Sequence, residues 1–283
     1  MGARSLCFVL IPLLNTALFA GGEQPQPITP KDVVKLFNGK DMSGLYTWLK
    51  GDKREDPHRV FTVHDGMIHI TGQTNGYIAT DMEYRDYHLV VEYKWGEKTY
   101  GSKTVRNSGV LLHATGPDGN FDPWMASIEC QLAQGCVGDL IVLRGKDERG
   151  SEIPVAFKSE TAIGPDKRPR WKKGGEERIF TKGQLWWSLH DPAFKELIDT
   201  RGKDDVESPL GEWTRVEAIC EGDRITVRVN DKAINECYAV NPAAGKILLQ
   251  SEGFEIYFRR FELHTLKKAE KKPQQKPLNN GRQ

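Results

Sequence analysis

From about residue 60 to residue 264 the chain alternates apolar and polar positions in short runs rich in β-branched and aromatic residues, broken by Gly, Asn and Asp. A period of two is that of strands with one face buried. Phe61 to Val63 and Met67 to Thr71, joined through Asp65-Gly66, predict a hairpin. Tyr87 to Trp95 alternates Leu89, Val91 and Tyr93 with polar partners, and Gly109 to His113 and the segment ending at Gln131 read as further strands. Trp213 to Cys220, Arg224 to Val229 and Ala233 to Cys237, separated by Glu221-Gly222-Asp223 and Asn230-Asp231, predict a three-strand meander. Lys246 to Gln250 and Glu255 to Leu263 supply two closing strands, the second with Ile256 and Phe258 on its apolar face and Phe261 a further candidate. Regular alternation lets only one of Arg259 and Arg260 share a face with these core residues. No long amphipathic helix is visible, and Thr29 to Leu36 and Ala193 to Asp199 predict a turn or two at most. The pattern is all-β, a two-sheet antiparallel sandwich or jelly roll built as one domain over residues 23–264.

Two stretches stand outside this pattern. Arg4 is followed by an apolar run from Leu6 to Ala20 and then by Gly21 and Gly22. The run is about fifteen residues long, short of the roughly 20 that cross a bilayer, so residues 1–22 read as a signal peptide and the mature protein as periplasmic or secreted. From Arg144 to Gly211 periodicity is lost among charge clusters, Gly and Pro, which predicts a long loop insertion near a site.

Charge adds little at the level of the whole chain, where 40 Lys+Arg face 39 Asp+Glu. The distribution is uneven, because residues 265–283 hold Lys267, Lys268, Lys271, Lys272, Lys276 and Arg282 against the single acid Glu270. With so little apolar surface this segment reads as a disordered basic tail, and it leaves the folded part mildly acidic. An acidic exported fold argues against nucleic acid as a partner, despite the Lys167 to Lys173 cluster around Trp171. Four cysteines remain after the leader, Cys130, Cys136, Cys220 and Cys237. Either the disulfides Cys130–Cys136 and Cys220–Cys237 or four buried thiols fit an exported domain of this size. None of their spacings is that of a structural zinc site.

Candidate chemistry concentrates in two places. Arg106 to His113 opens with Asn107 and Ser108 at a strand entrance and ends on a histidine, and Trp124 to Gln131 sets Glu129 and Gln131 two apart, on one face of a strand. A carboxylate, an amide and a histidine on one concave face can hold a sugar or move a proton. Near the C-terminal end of the domain, Gln250 and Glu252 stand where the apolar run Ile247 to Leu249 meets water.

The segments Leu36 to Leu45, Gly76 to Tyr93, Asn107 to His113 (NSGVLLH), Ile128 to Gln131 (IECQ), Gly211 to Glu217 and Gly245 to Arg259, in that order, resemble the 3-keto-disaccharide hydrolase family. The resemblance implies a concanavalin-like jelly roll with a concave sugar-facing sheet. It also implies a carbohydrate substrate already oxidised to a ketone at carbon 3, and cleavage of its glycosidic bond by hydrolysis or by elimination followed by hydration. The polar positions it carries over are Asn107, His113, Glu129, Gln131, Gln250 and Glu252. Glu129 is then the acid/base or a metal ligand. His113 stands where the family often has an arginine, so it is a base or, with Glu129, a ligand to a divalent metal. Asn107 and Gln131 would hold hydroxyls, and Trp95 or Trp124 would stack on a ring. A non-catalytic carbohydrate-binding module on the same scaffold is the alternative.

Overall fold

In the computed structural model, which describes residues 26–266 apart from 101–104 and 121, the alternation is realised as two stacked antiparallel sheets. The leader and the tail from residue 267 onward lie outside the described residues. In chain order the strands are β1 (Val34–Lys35), β2 (Leu45–Leu49), β3 (Phe61–His64), β4 (Met67–Ile70), β5 (Gly76–Thr80), β6 (Tyr87–Thr99), β7 (Gly109–Thr115), β8 (Ala126–Gln131) and β9 (Leu140–Leu143). They continue with β10 (Ala156–Ile163), β11 (Pro169–Trp171), β12 (Glu176–Phe180), β13 (Gly183–Leu185), β14 (Thr214–Glu221), β15 (Arg224–Val229), β16 (Lys232–Asn241), β17 (Lys246–Ser251) and β18 (Phe254–His264). The outer sheet runs β11-β10-β16-β15-β14-β6-β18-β4-β3, with β1 on β18 and β12 on β10, and the inner sheet runs β13-β9-β8-β7-β17-β5-β2. The fold is an all-β jelly roll, with no helix among the described residues.

Side chains of one parity fill the space between the sheets. Val110 and Leu112 of β7, Ile128 of β8 and Leu249 of β17 meet Leu89, Val91, Val227 and Phe258 of the outer sheet in one core. Burying each such side chain contributes roughly 1.5–3 kcal/mol against the cost of ordering it. The opposite parity of the inner sheet builds a second apolar cluster around Tyr77, Leu111 and Leu248, on the face turned away from that core, the one the family resemblance makes concave.

Several expectations change. Residues 144–211 are not one long loop, because β10, β11 and β12 extend the outer sheet and β13 extends the inner one, leaving the stretches before β10 and after β13 as the longer segments without strands. The alternation of β10 is carried partly by Ser159 and Thr161, and β12 presents four exposed residues at a sheet edge, so hydrophobicity does not betray either. The strand-free strap between β13 and β14 is pinned by polar anchors. Tyr93 OH and Trp95 Nε1 both donate to Glu207 Oε1, at 2.7 and 2.6 Å, and Asn230 Nδ2 donates to Val206 O and Ser208 Oγ. Arg259 and Arg260 both point outward onto Glu92, because a bulge after Phe258 resets the alternation and returns Phe261 to the core.

All four cysteines are buried free thiols. Cys220 and Cys237 are each paired with Ile225, which lies between them. They are therefore two strand spacings apart, roughly 9–10 Å between Cα atoms, beyond the reach of a disulfide.

Candidate active site

The concave face is organised by the register of three central strands. On β7, Gly109 pairs with Gln131 and Leu111 with Glu129 of β8, while Leu111 also pairs with Leu248 of β17. Glu129, Gln131, Gly109, Leu111, Leu248 and Gln250 therefore share one face, as the spacing of Glu129 and Gln131 predicts. The missing side chain of Gly109 is what brings the polar groups together. A Cβ there would stand 2.4 Å from both Glu129 Oε1 and Gln250 Oε1, so these two side chains converge over the glycine from the strands on either side.

Glu129 is only 4% exposed and Gln250 1%. Burial, reinforced by the negative charge of Glu252, raises the Glu129 carboxyl well above the usual carboxylate range, and a hydrogen bond from Gln250 opposes that shift. Gln250 Oε1 and, at the entrance to β7, Asn107 Oδ1 are buried without a hydrogen-bonding partner. Glu252 follows β17 directly and Gln131 closes β8, its Oε1 accepting from the Leu132 amide at 3.1 Å. Buried acceptors without donors are costly, so Gln250 Oε1 and Asn107 Oδ1 are each free to accept a hydrogen bond from a ligand.

The structure sends His113 elsewhere. Between Leu111 and Ala114, β7 spends three residues against two on β17, and it does the same against β8 between Leu112 and Thr115. This bulge, with His113 at φ +53, puts Ala114 rather than His113 on the concave face. The His113 ring lies edge-on to core Tyr87, its Nδ1 3.0 Å from the Pro242 carbonyl, and burial pulls its pKa down to about 4. The expected Glu129–His113 pair is thus not assembled, as an acid/base couple or as metal ligands. No group of three His, Cys, Asp or Glu side chains suited to a metal occurs among the described residues. Trp95 also leaves the site, since it sits in the outer sheet's core layer with its Nε1 on Glu207. Trp124 does reach the concave side, packed in the cluster with Tyr77, Leu111 and Leu248.

The family described as "3-keto-alpha-glucoside-1,2-lyase-like domain" matches residues 32–264. The chain belongs to this family. Among solved structures it is similar to a protein of Parabacteroides distasonis ATCC 8503 described as a candidate glycosyl hydrolase, at 17% identity, covering 83% of this chain and 94% of that one with a TM-score of 0.50. A second such protein from the same organism gives 18% identity, 83% and 99% coverage and a TM-score of 0.47. The Bacillus licheniformis β-glucanase gives 10%, 82% and 97%, and 0.42. No curated protein matches. The family makes this a glycosyl hydrolase-like, carbohydrate-active protein.

For a member of this lyase-like family the concave face holds a second polar group that sequence reading missed. Asp118, on the connection from β7 to β8, accepts from Tyr46 OH and Tyr77 OH at 2.8 Å each, and from Arg54 Nη2 at 2.9 Å. Lys246 Nζ donates to Tyr46 OH at 3.0 Å. Lys246 opens a strand the alternation predicts, but Tyr46 lies outside every predicted strand, and their meeting requires β2, β5 and β17 to be neighbours, which no local spacing encodes.

Proposed function

We propose that the protein cleaves the glycosidic bond of 3-keto-glycosides on this concave face, with Glu129 as the proton-transfer group, and that it does so after export. A ketone at carbon 3 acidifies the hydrogen on carbon 2. A base removes that proton, the electron pair forms the carbon 1–carbon 2 double bond, and the substituent at carbon 1 leaves with its oxygen and takes up a proton. Water added across the double bond then completes a net hydrolysis. No pair of carboxylates flanking the bond is required, because the ketone is the electron sink.

The observation that carries this reading is the buried carboxyl over Gly109, on which the unpartnered Gln250 Oε1 converges from the neighbouring strand. A carboxylate with raised proton affinity is a stronger base than an exposed one and a usable acid afterwards, so Glu129 can take the carbon 2 proton and return it to the leaving oxygen. Asn107, Gln131 and Gln250 supply acceptors for sugar hydroxyls, and Trp124 supplies apolar surface. Export rests on the leader-like run from Leu6 to Ala20.

Turnover of a 3-keto-disaccharide is the direct test. Glu129→Gln is expected to lower kcat/KM at least about tenfold. Because Glu129 must be ionised to act as base, wild-type kcat/KM should rise with pH to a midpoint above the usual carboxylate range. Retained activity in Glu129→Gln would remove Glu129 from the mechanism, and sugar binding without product would identify a binding module.

A further inference from the structure

Lys246 opens β17 and projects to the concave side, where its ammonium is in an unusual position. Asp118 already accepts from two phenols and from Arg54. Among the described residues the hydrogen-bond partner of Lys246 is the phenol oxygen of Tyr46, and no carboxylate of theirs lies within ion-pair distance of it. Asp118, Asp81 and Glu83 act on it only from farther away, and partial burial lowers its pKa. A half-buried ammonium held by one hydrogen bond and an aromatic ring, with its carboxylates at a distance, is only partly compensated for the hydration it gives up.

Its surroundings suit a sugar. The Lys246 Nζ stands 4.4 Å and the Arg54 guanidinium carbon 4.1 Å from the centre of the Tyr46 ring, and Trp48 is the next concave-facing residue of β2. From Glu129 the path crosses Leu111 to Leu248 and then runs two residues along β17. That is roughly 12 Å between Cα atoms, given the strand spacing and rise.

We propose that Lys246, with Arg54 and the Tyr46 ring, forms a second subsite that recognises an oxyanion, a carboxylate or a sulfate, carried by the glycan beyond the ring held at Glu129. Lys246 supplies two unused N–H donors and a partly compensated charge, Arg54 the further N–H groups on the solvent side, and Tyr46 the aromatic face. The subsite rests on the concave face being the sugar-binding face and not on the elimination chemistry.

Calorimetric titration of the full chain at low ionic strength, with cellobiose, its 6′-carboxylate and its 6′-sulfate as probes, tests this. One or both anionic probes should bind at least ten times more tightly than cellobiose, and the two arms identify which oxyanion is preferred. Lys246→Met should abolish the preference, Lys246→Arg should keep it, and Arg54→Met, at an exposed position safe for folding, should reduce it about threefold. Equal binding of neutral and anionic probes by the wild type, or a preference that survives both Lys246→Met and Arg54→Met, would overturn the proposal. No turnover and no 3-ketone enter the titration, so it succeeds or fails independently of the Glu129→Gln result.

Discussion

Replacing Gly109 by alanine interrogates the site without touching either polar side chain. The backbone at 109 is not in the left-handed region, so an alanine fits the main chain and gains about 0.4–1 kcal/mol from a less flexible unfolded state. The new methyl would sit 2.4 Å from two carboxyl and amide oxygens, where ordinary contact begins at 3.4 Å. Glu129 and Gln250 must therefore each retreat by roughly 1 Å, an overpacking cost of about 1–3 kcal/mol. The net loss is about 0–2.6 kcal/mol, a fall in Tm of at most about 10 °C for a domain of this size. The effect on turnover should be far larger, because about 1 Å of misplacement at a reacting group costs on the order of 100-fold. Thermal melts and kcat/KM on the same preparation check both halves. Activity within about threefold of wild type, in a protein with the expected Tm, would refute the placement of Glu129 as the proton-transfer group.

Two further outcomes follow from buried groups away from the site. Burial raises Glu207 to about 7 from an ordinary 4.5. A folded-state pKa above the unfolded one gives stability that is full below about pH 4.5 and is lost as pH rises through 7, so Glu207→Gln should flatten the wild-type decline over that window by about 3 kcal/mol, read by urea unfolding at pH 4.5, 6 and 8. Parallel profiles for the two proteins would sink it. Alkylation after denaturation without reductant should label Cys130, Cys136, Cys220 and Cys237 completely, and a linked Cys220–Cys237 peptide in the mass spectrum would contradict the register that separates them.

The architecture was legible wherever one face of a strand is wet and the other dry. The Asp65-Gly66 hairpin, the meander and the closing strands all appear where alternation puts them, and both turn residues of Asn230-Asp231 take positive φ despite the missing glycine. Glu129 and Gln131 share a face because β8 is regular. What could not be read depends on contacts distant in sequence or on one extra residue. The bulge in β7 reverses the facing of His113, the core claims Trp95 through Glu207, and the Tyr46–Lys246 meeting joins strands about two hundred residues apart, a separation the bond itself records. The strands β10 to β13 were hidden for another reason, since Ser, Thr and Arg occupy positions that hydrophobicity alone assigns to solvent.

The bulge in β7 also bears on how such a site can diversify. It is a one-residue phase shift placed midway along a strand that lines the concave face, so everything before it keeps its facing while everything after it is inverted. Deleting Ala114 would restore simple alternation and let His113 take the position opposite Lys246 on the sugar side in a single step, with no substitution. In this scaffold a change of strand length is therefore a shorter route to a new set of ligand-facing groups than any succession of substitutions.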